Sequence, residues 1–375
     1  MQLSETIKLY PTKYQKDLIV DAMSEYISSV NSVVSIASSG TSIKKYSSKD
    51  INANLPSTIR GQICRDARSI VNKHYKECRK AVLRNRKFAK QGKDLRVLAP
   101  KMPVLKKPVC YINNQNFKVY SDSIEFPMIV DNKSKRIKVK CSITDRQYSL
   151  ISTAKLGTMR IVFKNNKLCA QIVYEVPEVI YNSNENVMGV DLGIKCPAVC
   201  YTNDGKVKFI GNGRKNKWLK RFYRHQRKKL QSAKKDKVVK RIANKESNVF
   251  KDIDHKLSAE IVKTAVSNNV KTIRLERLQN IRSTTRKSRK NNHSLHNWSF
   301  YRLAQFIEYK AKLSGISVEY VNPAYTSQYC PHCGELNHAE DRNYKCKCGY
   351  HTHRDIVGAI NICHSTAICG KSISA

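Results

Sequence analysis

Three acidic residues occupy positions from which proteins build divalent-metal sites. Asp191 lies within GVDLGI, where the flanking glycines leave room for a phosphate backbone to approach. Glu276 closes the predicted strand TIRLE, and Asp355 opens the predicted helix RDIVGAINI. Carboxylates from two strands and one packed helix can hold two Mg²⁺ or Mn²⁺ ions about 3.5–4 Å apart, an arrangement that promotes phosphodiester hydrolysis. Asp191, Glu276 and Asp355 are therefore the candidate catalytic residues and metal ligands.

Each of these acids also has a simpler interpretation when it is taken by itself. Asp355 could serve only as a helix N-cap. Glu276 could pair with Arg274 or Arg277 at the surface, and Asp191 could be an ordinary turn residue. Their order along a strongly basic chain is what favours the metal-binding interpretation.

Four of the thirteen cysteines form two closely spaced pairs, Cys330 with Cys333 and Cys346 with Cys348. Four thiolates match the tetrahedral preference of structural Zn²⁺, and the glycine after each pair suits a tight knuckle turn. A disulfide is the alternative, which a cytosolic location disfavours. The second pair is spaced CxC rather than CxxC, so a histidine could replace one of its members. The nearby histidines are His332, His338, His351 and His353.

The charge of the chain indicates a polyanionic partner. Its 375 residues include 70 Lys and Arg against 29 Asp and Glu, a formal net charge of +41. A typical DNA-binding protein neutralises roughly 6–10 phosphates, so this surplus predicts a long nucleic acid rather than a small anion. A hydrophobic content of 41% excludes wholesale disorder. We expect no membrane span and no signal peptide, and we expect a reducing compartment.

The first half of the chain is predicted to combine helices with a small antiparallel β domain. Residues 1–10 alternate weakly and predict an edge strand. Apolar residues at helical spacing predict helices over 12–37 and roughly 56–90. Short alternating runs over 109–176 then predict β-hairpins, one of them with Asn165 and Asn166 at its tip. The polar stretch 181–186 is the clearest linker.

From residue 187 the pattern changes to paired strands followed by strands that alternate with helices. This order is that of a ribonuclease-H-like α/β layer. Between Gly211 and Phe250 the chain holds 15 Lys and Arg and only two acids. The later elements are helices near 252–268 and 298–313, the strands VKTIRLE and ISVEYV, a basic loop RSTTRKSRK, and a terminal helix near Asp355.

Two further sets of residues leave their roles open. Trp218 and Phe222 lie four residues apart among lysines and arginines. They could stack on nucleic-acid bases, or they could anchor an otherwise polar helix to the core. Asp254 and His255 could add a further metal or substrate contact.

Several segments of the chain resemble the TnpB proteins, which are encoded by insertion sequences and related to type V CRISPR effectors. The opening LYPTKYQ is similar to the N-terminus of that family, and the resemblance is strong from residue 187 to 363. The segments that carry it are GVDLGIKCPAV, DHKLSAEIV, IRLERL, WSFYRLAQFIEYKAK, NPAYTSQYCPHCG and HRDIVGAINI, in this order.

The resemblance implies a prokaryotic, cytoplasmic and nucleoid-associated RNA-guided DNA endonuclease with one RuvC-like site. The implied partners are a guide RNA transcribed from the transposon end and a double-stranded target DNA carrying a short adjacent motif. Asp191, Glu276 and Asp355 would form its catalytic triad, and the four clustered cysteines would hold zinc. The chain departs from the family in its CxC pair and in Gly358, where an alanine is common.

The implied fold is an α+β multidomain chain with a helical lobe, a β-barrel-like wedge, and a RuvC nuclease domain with an inserted zinc ribbon. The expected domains are a wedge (1–10 and 100–182), a recognition domain (11–99), a nuclease domain (187–325 and 350–375) and a zinc-binding insert (326–349). The alternative functions are an RNA-guided repressor that does not cut, against which the intact triad argues, and a DNA transposase, which needs no RNA.

Overall fold

The computed structural model describes residues 1–94, 96–177, 179, 185–278, 295–296, 298–339 and 341–370. The chain divides into two compact units, Met1–Pro177 and Glu178–Ala375. The predicted basic loop RSTTRKSRK and most of the predicted linker 181–186 lie outside the described residues. No helix in the described ranges is long and apolar enough to cross a membrane.

A seven-stranded antiparallel sheet forms the framework of the first unit, in the order β2-β6-β7-β1-β5-β4-β3. The prediction of an edge strand over 1–10 is wrong, because β1 pairs with β7 on one side and with β5 on the other. Its strands are β1 (Gln2–Tyr10), β2 (Val109–Ile112), β3 (Lys118–Val119), β4 (Ser123–Val130), β5 (Lys133–Ser142), β6 (Lys155–Lys164) and β7 (Lys167–Glu175).

The helices of the first unit are α1 (Lys13–Ser38), α2 (Ser57–Lys90) and α3 (Asp145–Thr153). The two long helices match the predictions for 12–37 and 56–90. Their apolar faces and the sheet share one core, because helical Tyr26 and Ile63 and strand residues Phe126 and Ile161 belong to one buried cluster. Asn165 and Asn166, both with positive φ, form the predicted hairpin tip between β6 and β7.

A six-stranded mixed sheet organises the second unit, in the order β10-β9-β8-β11-β12-β15. The first three of its strands along the chain form an antiparallel meander, and β11 then joins β8 in parallel with β12 beyond it. Its strands are β8 (Val187–Asp191), β9 (Ala198–Thr202), β10 (Val207–Ile210), β11 (Thr272–Glu276), β12 (Ser317–Val321) and β15 (Ile368–Gly370). A separate hairpin consists of β13 (Asn343–Lys345) and β14 (His351–His353).

Four helices of the second unit surround this sheet in the described ranges: α4 (Gly213–Ser232), α5 (Asp236–Ser267), α6 (Phe300–Leu313) and α7 (Arg354–His364). The core lies between the sheet and the apolar stripes of α5 and α6. α5 begins sixteen residues before the predicted start near 252. Ion pairs rather than an apolar stripe fix its first half, since Glu246 binds Lys220 and Arg227 of α4. The α+β class is confirmed.

Candidate active site and cysteine cluster

Two neighbouring parallel strands bring the first two candidate acids to the same end of the sheet. β8 ends at Asp191, and β11 ends at Glu276. Leu275 pairs with Val190, so the two acids follow as the next positions along the paired strands. Because side chains at the same level of parallel strands point to the same face, both carboxylates project from one face at this end.

Helix α7 lies against β8 and adds the third acid. An added Cβ on Gly189 would lie 2.1 Å from the Ala359 carbonyl oxygen, so only a glycine permits this close approach. An added Cβ on Gly358 would lie 3.0 Å from Asp191 Oδ2. Gly358 therefore sits directly over the Asp191 carboxylate. Asp355 precedes it by three residues, on the same face of the helix.

Asp355 is not the N-cap of its helix. The cap is His353, whose Nδ1 accepts a hydrogen bond from the Asp355 backbone N–H at 3.2 Å. The Asp355 side chain is buried and forms an ion pair with Arg342. The simpler interpretation of Asp355 as only a capping residue is therefore wrong.

Asp191 lies near the other two acids, since the charges of both act on it, although among the described residues only the cysteines form a group of three or more with ligand atoms within 4.8 Å of one another. Burial raises the pKa of Asp191 well above its usual range, and the charges of Glu276 and Asp355 raise it further. Arg342 and Arg354 act in the opposite direction on the same pKa. Burial also raises the pKa of Glu276, although Thr326 Oγ1 donates a hydrogen bond to its carboxylate. A nearby cation would favour the ionised form of Asp191, which makes this carboxylate a candidate metal ligand.

The four cysteines of the two knuckles form a compact group. Their Sγ atoms all lie within 4.8 Å of one another. Cys330 Sγ is 3.7 Å from Cys348 Sγ, and Cys333 Sγ is 3.5 Å from Cys346 Sγ. Sulfur ligands at about 2.3 Å from a tetrahedral ion lie about 3.8 Å apart, so the spacing fits one Zn²⁺.

Both members of the CxC pair take part in this group, and no histidine of the described residues does. The cysteines of this group differ in their tendency to form a thiolate. Although burial opposes it, the N–H groups of Cys333 and His332 lower the pKa of Cys330 to about 7. Although the Glu335 N–H opposes it, burial and hydrogen bonds with the neighbouring thiols raise the pKa of Cys333 to about 12. A thiolate is the form of cysteine that binds metal.

The cysteine-bearing segment is fastened to the helix that carries Asp355. Arg354 N donates to the Arg342 carbonyl oxygen at 2.8 Å, and β13 pairs with β14 immediately beside it. Asn361 Nδ2 donates to the carbonyl oxygens of Thr326 and Tyr329 at 2.7 and 2.8 Å. Arg342 and Thr326, which touch two of the three acids, thus come from or adjoin the cysteine-bearing segment. Residue spacing alone had not singled out either one.

Asp254 and His255 are engaged by helix α6. Asp254 accepts hydrogen bonds from Ser299 Oγ at 3.1 Å and Arg302 Nε at 2.6 Å. The His255 ring stacks on Phe306, with centroids 3.9 Å apart. These contacts fix α5 against α6, which accounts for both residues without a metal.

Comparison with known families and proteins gives a consistent result. Residues 171–282 match a family model described as a probable transposase (OrfB_IS605), and residues 300–362 match a Cas12f1-like TNB domain. The TnpB-like protein MJ0751 of Methanocaldococcus jannaschii is 32% identical over 269 residues, covering 66% of this chain and 91% of that protein.

CRISPR-associated relatives match over shorter stretches. The endodeoxyribonuclease Cas12f1 of Syntrophomonas palmitatica is 29% identical over 203 residues, covering 49% of this chain and 40% of that protein. This chain thus spans less than half of the length of that nuclease. A solved structure of a Cas12f1–sgRNA–target DNA complex has the same fold, with a TM-score of 0.66 at 15% identity, covering 94% of this chain and 82% of that one.

Proposed function

The chain belongs to the TnpB family, and we propose that it is an RNA-guided DNA endonuclease with a single RuvC-like hydrolytic site. It would cut guide-matched double-stranded DNA next to a short adjacent motif. Base pairing with the guide would read the target sequence, while the protein supplies the motif reading and the chemistry.

The convergence of Asp191, Glu276 and Asp355 is the observation that carries this proposal. Two of these acids end adjacent parallel strands, and the third stands in the first turn of the helix packed on them. A repressor that does not cut has no need of three acids placed around the end of one sheet. Burial and the charges of Glu276 and Asp355 raise the pKa of Asp191, and a divalent cation would relieve this repulsion.

The donor set suits hard divalent cations. Mg²⁺ and Mn²⁺ prefer carboxylate oxygens, and the three acids supply only such ligands. When bound, a pair of these ions would activate a water molecule and neutralise charge on the leaving oxygen. Asp191, Glu276 and Asp355 are the residues that would hold them.

Two neighbouring side chains position two of these carboxylates. Thr326 donates a hydrogen bond to Glu276, which fixes the orientation of that carboxylate. Arg342 holds the Asp355 carboxylate through an ion pair. A guanidinium also binds phosphate oxygens well, so Arg342 places a phosphate-binding group beside the acids.

The four clustered cysteines would bind one structural zinc ion. All four ligand positions of a tetrahedral ion would be filled by thiolates, which leaves no open position for substrate. Zinc would then stabilise the segment that presents Arg342 and Thr326. The cysteine cluster would affect the reaction only indirectly, by holding Arg342 and Thr326 in place.

The partners follow from charge and family. A net charge of +41 suits a guide RNA together with target DNA, in a prokaryotic cytoplasm. The recognition helices (11–99) and all but the last residues of the wedge (1–10 and 100–182) would belong to the first unit. The second would contain the nuclease domain (187–325 and 350–375) with its zinc-binding insert (326–349).

Guide replacement tests this function. The chain is produced together with the RNA of its transposon end, and the RNA that co-purifies is sequenced. Exchange of the guide segment should move the cut to the new matching sequence. A repressor would relocate without cutting, and a transposase would ignore the guide. Cleavage at a fixed sequence by RNA-free protein would contradict the proposal.

A further inference from the structure

Helix α4 carries two aromatic side chains that the protein does not bury. Trp218 and Phe222 remain 60% and 42% exposed. Their rings stack on each other with centroids 5.6 Å apart and an interplanar angle of 17°. Burial of such rings is strongly favoured in water, so a stacked and exposed pair is a feature that packing does not explain.

Other residues of α4 already attach this helix to the protein. Tyr223 is the buried aromatic residue of the helix. Lys220 and Arg227 form ion pairs with the buried Glu246, and the Lys220 ammonium also lies 3.9 Å from the centroid of the Phe250 ring. Trp218 and Phe222 are therefore not the main anchors of this helix, although the Phe222 ring meets the Tyr223 ring edge-on with centroids 5.5 Å apart. The anchoring face is the opposite one, as 3.6 residues per turn place residues 220, 223 and 227 away from residue 218.

The surroundings of the aromatic pair are cationic. α4 holds nine Lys and Arg and no acid. Two of the nine bind Glu246, and the other seven are exposed. By helix geometry, four of them lie within about 60° of the direction of Trp218. These four are Arg214, Lys215, Arg221 and Lys229.

The helix begins beside the loop that follows Asp191. An added Cβ on Gly213 would lie 2.2 Å from the carbonyl oxygens of both Ile194 and Lys195, so the first turn of α4 touches this loop. Trp218 follows five residues later, a rise of about 7.5 Å along the helix. The aromatic pair therefore stands within a few nucleotides' length of the backbone that carries Asp191.

We infer that Trp218 and Phe222 form a stacking platform for an unpaired base of the DNA strand that enters the acidic site. The ring faces of a base continue the Trp218–Phe222 stack, while the four flanking cations contact the phosphates on either side. A paired duplex shows its base faces only at its ends, so the platform selects a separated strand. This inference rests on the proposed nuclease function, since it assigns the occupant as the strand to be cut.

The chain contains only two tryptophans, which makes the platform directly measurable. Trp298 packs against the core of the second unit, and its replacement by Phe leaves Trp218 as the single tryptophan, which is excited at a wavelength where the tyrosines absorb little. The full chain in complex with its guide RNA is titrated with a single DNA strand unrelated to the guide. Stacking of a base on the indole should quench the fluorescence of Trp218.

Substitutions separate stacking from charge. Trp218→Leu and Phe222→Leu should each weaken binding of the strand about 5- to 100-fold, with an unchanged salt dependence. Arg221→Gln should instead reduce the slope of log affinity against log salt by about one. Tyr301→Leu, which removes an aromatic residue of similar exposure from α6, should change the affinity by less than about twofold.

Three results would overturn the inference. One is a strand that binds without quenching Trp218, and another is a Trp218→Leu chain that binds as tightly as the parent. The third is quenching complete with guide RNA alone, which would make RNA the occupant. Failure of the proposed nuclease function would look different. The parent chain would not cut guide-matched DNA, whereas a single strand would still quench Trp218.

Discussion

The second unit contains two groups of side chains that are candidates for metal binding and differ in almost every physical respect. The cysteine cluster consists of four thiols with Sγ atoms within 4.8 Å, next to a small apolar core that includes Tyr344 and Val357. The acidic cluster consists of Asp191, Glu276 and Asp355. Arginines lie near these carboxylates, and Thr326 donates a hydrogen bond to Glu276.

This difference indicates different tasks. Neutral thiols can approach one another at little cost, so a site that only holds zinc can be closed and complete. Ionised carboxylates repel one another when no cation lies between them. A site that binds divalent ions for hydrolysis must also leave room for water and a phosphate. Arg342 connects the two clusters, since it belongs to the cysteine-bearing segment and pairs with Asp355.

The largest effect is expected from removal of one acid. Asp191→Ala, Glu276→Ala and Asp355→Ala should each lower cleavage of guide-matched DNA about 10³-fold or more, because each would remove a metal ligand. Binding of guide RNA and target should persist, since affinity comes mainly from basic surfaces. Cleavage and binding are measured on the same preparation.

A matched control for these acids is Asp204→Asn. Asp204 lies in the turn between β9 and β10 and pairs with Lys206. This variant should cut at the parent rate. Near-normal cutting by the Asp191, Glu276 or Asp355 variant would remove that residue from the proposed site.

The next effect concerns the cysteines. Parent protein should contain about one zinc per chain, and Cys330→Ser or Cys333→Ser should lose it. Cleavage should fall about 100-fold, because the segment that presents Arg342 loses its support. Metal analysis and cleavage are compared with Cys369→Ser, an exposed cysteine outside the cluster. A zinc-free variant that cuts at the parent rate would show that the cysteine cluster does not support the acids.

Arg342→Gln removes the ion pair with Asp355 but retains all three acids and all four cysteines. Cleavage should fall about 10- to 100-fold while the zinc content stays at about one per chain. Arg342→Lys keeps the positive charge but loses the planar guanidinium. Its cleavage rate should therefore lie between those of the parent and Arg342→Gln. If Arg342→Gln cut normally, the pairing with Asp355 would have no part in the reaction.

The smallest effect is expected at Thr326. Thr326→Val keeps the shape but removes the hydroxyl that donates to Glu276, and cleavage should fall about tenfold. Thr326→Ser retains the hydroxyl and should restore most of the rate. Equal rates for the Val and Ser variants would mean that this hydrogen bond does not position Glu276.

The acids and the cysteines could be selected as candidate site residues from the sequence, because residue type and local spacing are enough to identify them. Asp191 and Glu276 stand at strand ends, and Asp355 stands at a helix start. Residue types and spacing sufficed to find them, and their assignment as catalytic residues stays a prediction. Arg342 and Thr326 have no comparable local signal. Thr326 reaches Glu276 across 50 residues, and only the fold brings the two together.

The wrong predictions of the fold have the same origin, namely contacts that local sequence patterns do not reveal. β1 was expected at an edge because its alternation is weak, yet both of its neighbours come from more than 120 residues further along the chain. The first half of α5 was missed because buried Glu246 and its two cations fix it, and an apolar pattern does not register ion pairs. Trp218 and Phe222 could be assigned only once their exposure and the burial of Tyr223 were known.

The most direct test of the account is the metal dependence of guided cleavage, measured with zinc retained. The complex of the chain with its guide RNA is treated with a chelator weak enough to leave about one zinc per chain. Cleavage of guide-matched DNA should stop, Mg²⁺ or Mn²⁺ should restore it in the parent, and neither ion should restore it in Asp191→Ala. Cleavage that continues without added divalent ions, or that returns in Asp191→Ala, would contradict the assignment of the chemistry to the three acids.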